Sequence, residues 1–252
     1  MTPNLKQIFT QTEATLKKQL GLSEEEYNKK YFSYNDRKFI RRTDEEYFTI
    51  MKHIIFYSGF RAEKVTKRLP VINKHLPGFK TVACYDGNII DEILDDPHMI
   101  RNRGKINAIV KNAKVFIKLI EKHKSFHDYI VSFHPEKSLE NLFNLQHDLQ
   151  RRFGYLGEIT ACHFLSDIGL NILKPDLVIT RIFHRLGLIE NEKLTDKAIE
   201  VGRKFAEETG YAIRYIDIVF VTYGQNGGPG VCLGEKPKCD VCGVRGGCGY
   251  LG

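Results

Sequence analysis

No stretch of this 252-residue chain approaches the ~20 consecutive apolar residues of a membrane-spanning helix, so a helical anchor within it is excluded. The opening residues, MTPNLKQIFTQTEATLKKQL, lack the basic head, apolar centre and small-residue cleavage site of a signal peptide and read instead as an amphipathic helix. A cytoplasmic protein is expected, not an exported or membrane one. No repeat, low-complexity tract or long linker interrupts the chain, which excludes a solenoid and a disordered tether. Tryptophan is absent, and acidic residues are in deficit, with 31 Asp and Glu against 38 Lys and Arg and a net charge of +7. That imbalance suits a polyanionic partner without naming one. What is present is ordinary for a globular protein: 42% hydrophobic and 27% charged residues, in a length that allows one large domain or two small ones.

The hydrophobic pattern is helical almost throughout. Ser23-Glu24-Glu25-Glu26 is a capping box opening a short helix, and Asp44 begins another whose apolar face runs Tyr47, Ile50, Met51, Ile54, Ile55. Pro77-Gly78 marks a turn, and further helices are predicted over 88–95, 104–122, 125–133, 138–152, 158–168, 175–187 and 194–209. The segment from Tyr211 to Tyr223 is rich in β-branched residues and fits a strand in isolation; its helical neighbours favour a buried helix. The expected class is all-α. A central helical domain over 41–169 is anticipated, with a second lobe from 1–40 plus 170–252 that carries the cysteine loop 232–248.

Six cysteines are unevenly placed. Cys84 and Cys162 stand alone in apolar segments and read as buried small hydrophobes. The others follow the spacing Cys232-x6-Cys239-x2-Cys242-x5-Cys248, and without an export signal such crowding points to metal or cluster ligation, not disulfides. Four thiolates on one short loop suit a tetrahedral zinc or a cubane cluster, and a loop with only one C-x2-C pair fits the cluster better than a two-knuckle zinc ribbon. The spacing, with Lys236-Pro237-Lys238-Cys239-Asp240-Val241-Cys242, resembles the iron–sulfur loop of the endonuclease III and adenine-mismatch DNA glycosylases. The resemblance implies a [4Fe–4S] cluster, with zinc as the alternative. Lys236, Lys238 and Arg245 then form a basic edge suited to phosphates, although such residues also serve simply to solubilise a loop.

Between two amphipathic helical segments lies Phe153-Gly154-Tyr155-Leu156-Gly157. Two glycines in a short turn allow close backbone approach to another molecule, and the N-terminus of the following helix can bind a phosphate without reading sequence. Asp176 follows in the segment Lys174-Pro175-Asp176, with Arg181-Ile182 five and six residues later and Arg185-Leu186-Gly187 after them. Pro175 and an acidic residue also suit a helix start. Together these features resemble the helix-hairpin-helix glycosylase superfamily, in which the matching aspartate is catalytic. That resemblance assigns DNA contacts to Gly154, Gly157 and Thr160 and catalysis to Asp176. Tyr155 departs from it, standing where the family hairpin has a glycine. Ile159 stands where members that cut the strand carry a lysine, so the resemblance implies a monofunctional enzyme.

A second resemblance, over roughly 31–123, is to 3-methyladenine DNA glycosylase I. It is carried by Tyr34-Asn35-Asp36, by Ser58-Gly59-Phe60-Arg61-Ala62 and by the run from Ile100 to Ala113, which contains Arg101, Arg103, Lys105 and Asn112. Asn35 replaces that family's zinc-binding histidine and Ser58 its pocket glutamate, so its zinc site is not expected. A flipped base needs an aromatic platform and a few polar groups, for which Tyr34, Ser58, Phe60 and Glu63 are the candidates. Arg101 and Lys105, with Lys236 and Lys238 of the cysteine loop, are candidates for phosphate contact.

The expected activity is hydrolysis of the N-glycosidic bond of a damaged base, with an alkylated purine favoured, in double-stranded DNA by a monomeric protein. Two alternatives stand beside it: a mismatch or oxidised-base glycosylase sharing the cysteine loop, and a DNA-binding iron–sulfur protein without catalysis.

Overall fold

The computed structural model describes residues 4–250. Among them every regular element is a helix, and none is long and apolar enough to cross a membrane. Backbone contacts divide the chain into two compact units, one of 1–38 with 171–252 and the other of 39–170. The first unit opens with α1 (Leu5–Leu20), α2 (Glu24–Lys30) and a 3-10 turn over Phe32–Asp36. The second unit then holds α3 (Asp44–Tyr57), α4 (Ala62–Thr66), α5 (Leu69–His75), α6 (Phe79–Val82), α7 (Gly87–Asp95), α8 (Arg103–His123), α9 (Phe126–Val131), α10 (Leu139–Arg152) and α11 (Glu158–Asp167). The chain returns to the first unit as α12 (Leu177–Arg185), α13 (Thr195–Thr209) and α14 (Ile213–Gly224), followed by the cysteine loop.

Local chemistry sets the helix starts. The Ser23 hydroxyl accepts from the Glu26 N–H at 3.2 Å while the Glu26 carboxylate accepts from the Ser23 N–H at 2.9 Å, the box expected from the sequence. Thr43 and Glu46 repeat the arrangement at α3, whose first residue is the Asp44 expected from the sequence. Each such cap contributes about 1 kcal/mol. The β-branched segment after Tyr211 is the helix α14, because it is covered on nearly every side: Ile213, Tyr215, Ile216, Val219, Phe220 and Tyr223 are all buried.

Each unit has its own aromatic core. In the first, Phe9 of α1 packs edge-on to Phe220 of α14 at 5.9 Å, and Phe183 of α12 stacks on Phe205 of α13 at 5.5 Å. In the second, α8 is the central helix, and its Phe116 stacks on Phe126 at 4.1 Å while touching Phe48 and Phe79. Burying one such ring contributes roughly 1.5–3 kcal/mol. Cys162 is buried in α11 as expected, but Cys84 is exposed. The short helix α6 turns Phe79 and Val82 inward, and Cys84 follows them on the outer side, its thiol against the Lys80 carbonyl.

Candidate nucleic-acid interface and reactive carboxylate

The turn between α10 and α11 is fixed from below by one side chain of α8. The buried Asn112 accepts from the Gly154 N–H at 2.7 Å and donates through Nδ2 to the Gly154 carbonyl at 2.9 Å. A Cβ on Gly154 would stand only 3.1 Å from the Ala108 Cβ, so glycine is what lets the turn lie this close to α8. Phe153 and Leu156 are buried and anchor the two sides of the turn. Tyr155 adopts φ +63°, the left-handed conformation for which glycine is ordinarily chosen. The backbone at Tyr155 thus takes a conformation open to glycine, although no glycine stands there. Gly157 is the N-cap of α11, has open space about its Cβ, and no side chain caps that helix. Its first-turn N–H groups are the donors a phosphate oxygen takes. Thr160 lies half-buried in that first turn.

Several expected contacts near this turn have a different use. Lys105 is only 3% exposed, and its ammonium donates to the carbonyls of Ile55 at 2.5 Å, Phe56 at 3.3 Å and Ser58. It closes the C-terminus of α3, whose last carbonyls have no partner within the helix. The expected phosphate contact by Lys105 is thus corrected: its three protons are taken inside the second unit. Burial lowers its pKa to about 8. The exposed rings of Phe60 and Tyr155 lie 4.7 Å and 5.7 Å from the same ammonium. Glu63 is also corrected as a pocket carboxylate, since it stands in solvent on α4, paired with Lys67 at 2.7 Å one turn away. Ser58 is the C-cap of α3. Arg101 is exposed, and its guanidinium reaches the Asp95 carbonyl at 3.5 Å.

In the first unit Asp176 is the N-cap of α12. Its Oδ1 accepts from the N–H groups of Val178 at 3.0 Å and Ile179 at 3.1 Å, while Oδ2 pairs with the Lys174 ammonium at 2.9 Å. This lysine partner is not among the residues expected from the sequence, where its place two residues ahead of Asp176 is the available signal. Beside this site the wholly buried Asp217 of α14 forms an ion pair with Arg214. Burial pushes the Asp217 carboxyl up, against the pull of Arg214 and Lys174. The ring of Tyr34 lies 5.4 Å from the Arg214 guanidinium. Tyr34 belongs to the first unit, whereas Ser58, Phe60 and Glu63 belong to the second. Asn35 has a structural role, its Oδ1 accepting from the Ala212 N–H at 2.8 Å at the start of α14.

All four clustered cysteines line one cavity of about 590 Å³, together with Arg185, Lys236, Lys238, Arg245 and Tyr250. Among the described residues no three His, Cys, Asp or Glu side chains are grouped to hold a single metal ion. Four thiols are a donor set that both a cubane cluster and a tetrahedral zinc take. Arg185 is buried against this loop, donating to the Leu233 carbonyl at 2.6 Å, the Gly234 carbonyl at 3.0 Å and the Cys232 Sγ at 3.4 Å. Burial pushes the Cys232 thiol up, and the Arg185 guanidinium opposes it. The Tyr223 hydroxyl donates to the Cys242 Sγ at 3.1 Å. Lys236 and Lys238 are exposed at the rim.

The family model of methyladenine glycosylases matches residues 24–170. The chain belongs to the methyladenine glycosylase family. DNA-3-methyladenine glycosylase of Haemophilus influenzae is 31% identical over 106 residues, a region that covers 36% of this chain and 57% of that protein. The chain thus spans little more than half the length of this curated relative. The 8-oxoguanine DNA glycosylase of Thermotoga maritima shares the fold with a TM-score of 0.55 at 20% identity, covering 86% of this chain and 99% of its own. The 8-oxoguanine glycosylase/lyase of Methanocaldococcus jannaschii, solved in complex with a 15mer DNA containing 8-oxoguanine, does so with a TM-score of 0.57 at 18% identity, covering 84% and 95%. The methyladenine glycosylase match ends at residue 170, where the second unit ends, so Asp176 and the four cysteines lie beyond it.

Proposed function

We propose that this protein is a monofunctional DNA glycosylase of base excision repair that flips a damaged base, in the first instance an alkylated purine, out of duplex DNA and hydrolyses its N-glycosidic bond. Family membership over 24–170 is the observation that carries this reading. The hairpin supports it with backbone donors at Gly157 and α11 that suit a phosphate. As the glycosidic bond lengthens, positive charge develops on the sugar. The Asp176 carboxylate, oriented by two backbone N–H groups and by Lys174, opposes that charge and orients the attacking water. An alkylated purine is already cationic while attached and leaves as a neutral base, so no side chain need protonate it. Ile159 supplies no amine for a Schiff base, in keeping with a product that is an intact abasic site.

Cys232, Cys239, Cys242 and Cys248 would hold a [4Fe–4S] cluster, which when bound supplies a covalent cross-link that orders the glycine-rich loop. The exposed Lys236 and Lys238 would then face the DNA backbone on a rigid edge. Zinc is the alternative occupant, and iron content with absorbance near roughly 400 nm separates the two.

The test is base release from duplexes carrying methylated purines, hypoxanthine, mismatched thymine, 8-oxoguanine or adenine opposite 8-oxoguanine, with and without hot alkali, for the parent and Asp176→Asn. Strand breaks that require alkali and fall by at least a hundredfold in the variant are expected. Breaks without alkali would overturn the monofunctional reading, and undiminished turnover by the variant would remove Asp176. Release of oxidised bases alone would move the substrate to the alternative class.

A further inference from the structure

The exposed lysines of α8 gather on one face of the helix. Some helical lysines elsewhere are matched about one turn away, Lys17 with Glu13, Lys67 with Glu63 and Lys197 with Glu200. From Arg103 to Ile120 α8 contains no acidic residue. Lys111, Lys114, Lys118 and Lys122 are all exposed, and none of them makes an ion pair among the described residues. At 100° per residue, Lys111, Lys118 and Lys122 fall within about 40° of one another on the helix, with Lys114 at the edge of the same face. The intervening Val115 is only half-buried.

Two further observations extend this face. Arg152, the last residue of α10, joins Val115, Lys118, Leu119 and Lys122 around a shallow depression of about 240 Å³. Arg151 and Arg152 share one buried carboxylate, Asp148, at 2.6 Å and 2.5 Å, and that carboxylate also accepts from Tyr129 at 2.8 Å. The pair therefore keeps a net positive charge. Arg152 also leads directly into the Phe153–Gly157 turn, which is clamped to α8 at Ala108 and Asn112. The hairpin and the lysine face belong to the same compact unit.

We propose that this α8 face, Lys111, Lys114, Lys118 and Lys122 with Arg152, is a second contact surface for the DNA backbone that continues beyond the hairpin. The inference rests on the DNA glycosylase reading and names where that enzyme holds DNA outside the lesion. From Lys111 to Lys122 the helix rises about 16 Å, close to five steps of a duplex at 3.4 Å per step. Flexible ammonium groups at this spacing contact phosphates as point charges and read no sequence. The surface would hold undamaged duplex during search and lengthen the footprint on one side of the lesion.

The experiment compares the parent, the triple variant Lys111→Gln/Lys118→Gln/Lys122→Gln, and a control Lys193→Gln/Lys197→Gln/Lys204→Gln that removes the same charge from the first unit. Binding of an undamaged 30-base-pair duplex is titrated between 50 and 200 mM salt. Each lost phosphate contact lowers the salt slope by about 0.9, so the α8 variant should lose about 2.7 from its slope, equivalent to about 40-fold less change in affinity over that range. The control should lose less than about one contact, a slope change below 0.9. Equal slopes for the two variants, or an α8 variant indistinguishable from the parent, would overturn the proposal. A parent that neither releases any base nor binds duplex with a salt dependence would instead sink the glycosylase reading, a separate outcome. Unchanged thermal melting of the α8 variant verifies its fold, and the single variant Lys118→Glu, with a slope loss of at least about one contact, repeats the test if the triple variant does not fold.

Discussion

Two loops of this protein are candidates for DNA contact, and they are held by different means. The Phe153–Gly157 turn is short and closed by ordinary packing: two buried apolar anchors, and one asparagine that satisfies both backbone groups of Gly154. The cysteine loop after Gly224 has no regular element longer than three residues. It is tied down by Arg185 and Arg181, whose guanidiniums take loop carbonyls at Leu233, Gly234 and Cys232. The turn carries its own order. The loop takes one buried and one half-buried guanidinium on its carbonyls and leaves four thiols around a cavity, where the proposed cluster would cross-link it. A loop of this composition buries too little apolar area to offset the entropy of ordering it.

The widest expected difference between the two is the response to cysteine loss. If the proposed cluster is bound, the double variant Cys239→Ser/Cys242→Ser should lose the iron found in the parent and soften the first unit by more than the few kcal/mol of a single core truncation, while the second unit keeps its fold. Iron analysis with limited proteolysis of each unit checks this; iron-free protein that melts like the parent would mean the loop needs no cross-link. On the turn side, Asn112→Ala removes both hydrogen bonds that hold Gly154 and should cost about 2 kcal/mol, at about 1 kcal/mol for each bond, read as a lower denaturant midpoint at constant slope. Duplex binding should weaken with it, because the turn is the candidate phosphate contact. An unshifted midpoint would show that the turn holds without α8.

The smallest effect expected is a pH dependence. Folded Lys105 titrates at about 8, lowered by burial. The unfolded side chain titrates near roughly 10.4, so between these values the unfolded chain binds a proton the folded one has released. The contribution is therefore fully present above the unfolded value and lost as pH falls to about 8. Relative to Lys105→Met, the parent should gain stability as pH rises from 8 to 10, by at most about 1.4 kcal/mol per pH unit. Denaturant titrations of both proteins at pH 7.5, 8.5 and 9.5 test this. Parallel profiles would show that the three carbonyls hold the ammonium charged throughout.

Much of the fold was legible because its signals are local. The Ser23–Glu26 box, the spacing of three and four on α3 and the abrupt change of composition at Gly224 each act within one or two turns. The site was less legible. Asn112 sat in plain view within a recognised motif, but its partner, Gly154, is 42 residues away. Lys174 was passed over because an N-terminal aspartate already explained a helix start.

Lys105 and Glu63 show most plainly what the sequence could not decide. A lysine at a helix start reads as solvent-facing until tertiary packing brings the frayed carbonyls of α3 to it, and a glutamate beside an aromatic reads as a pocket wall until its helix turns it to water. By itself the sequence determined the helical class, the helix starts, the thiol spacing and the residues of the hairpin, since these depend on near neighbours along the chain. Only the tertiary structure decided which cations are buried, which remain uncompensated on α8 and what clamps the turn. Desolvation and hydrogen-bond partnership are set by residues far apart in sequence, and no local pattern encodes them.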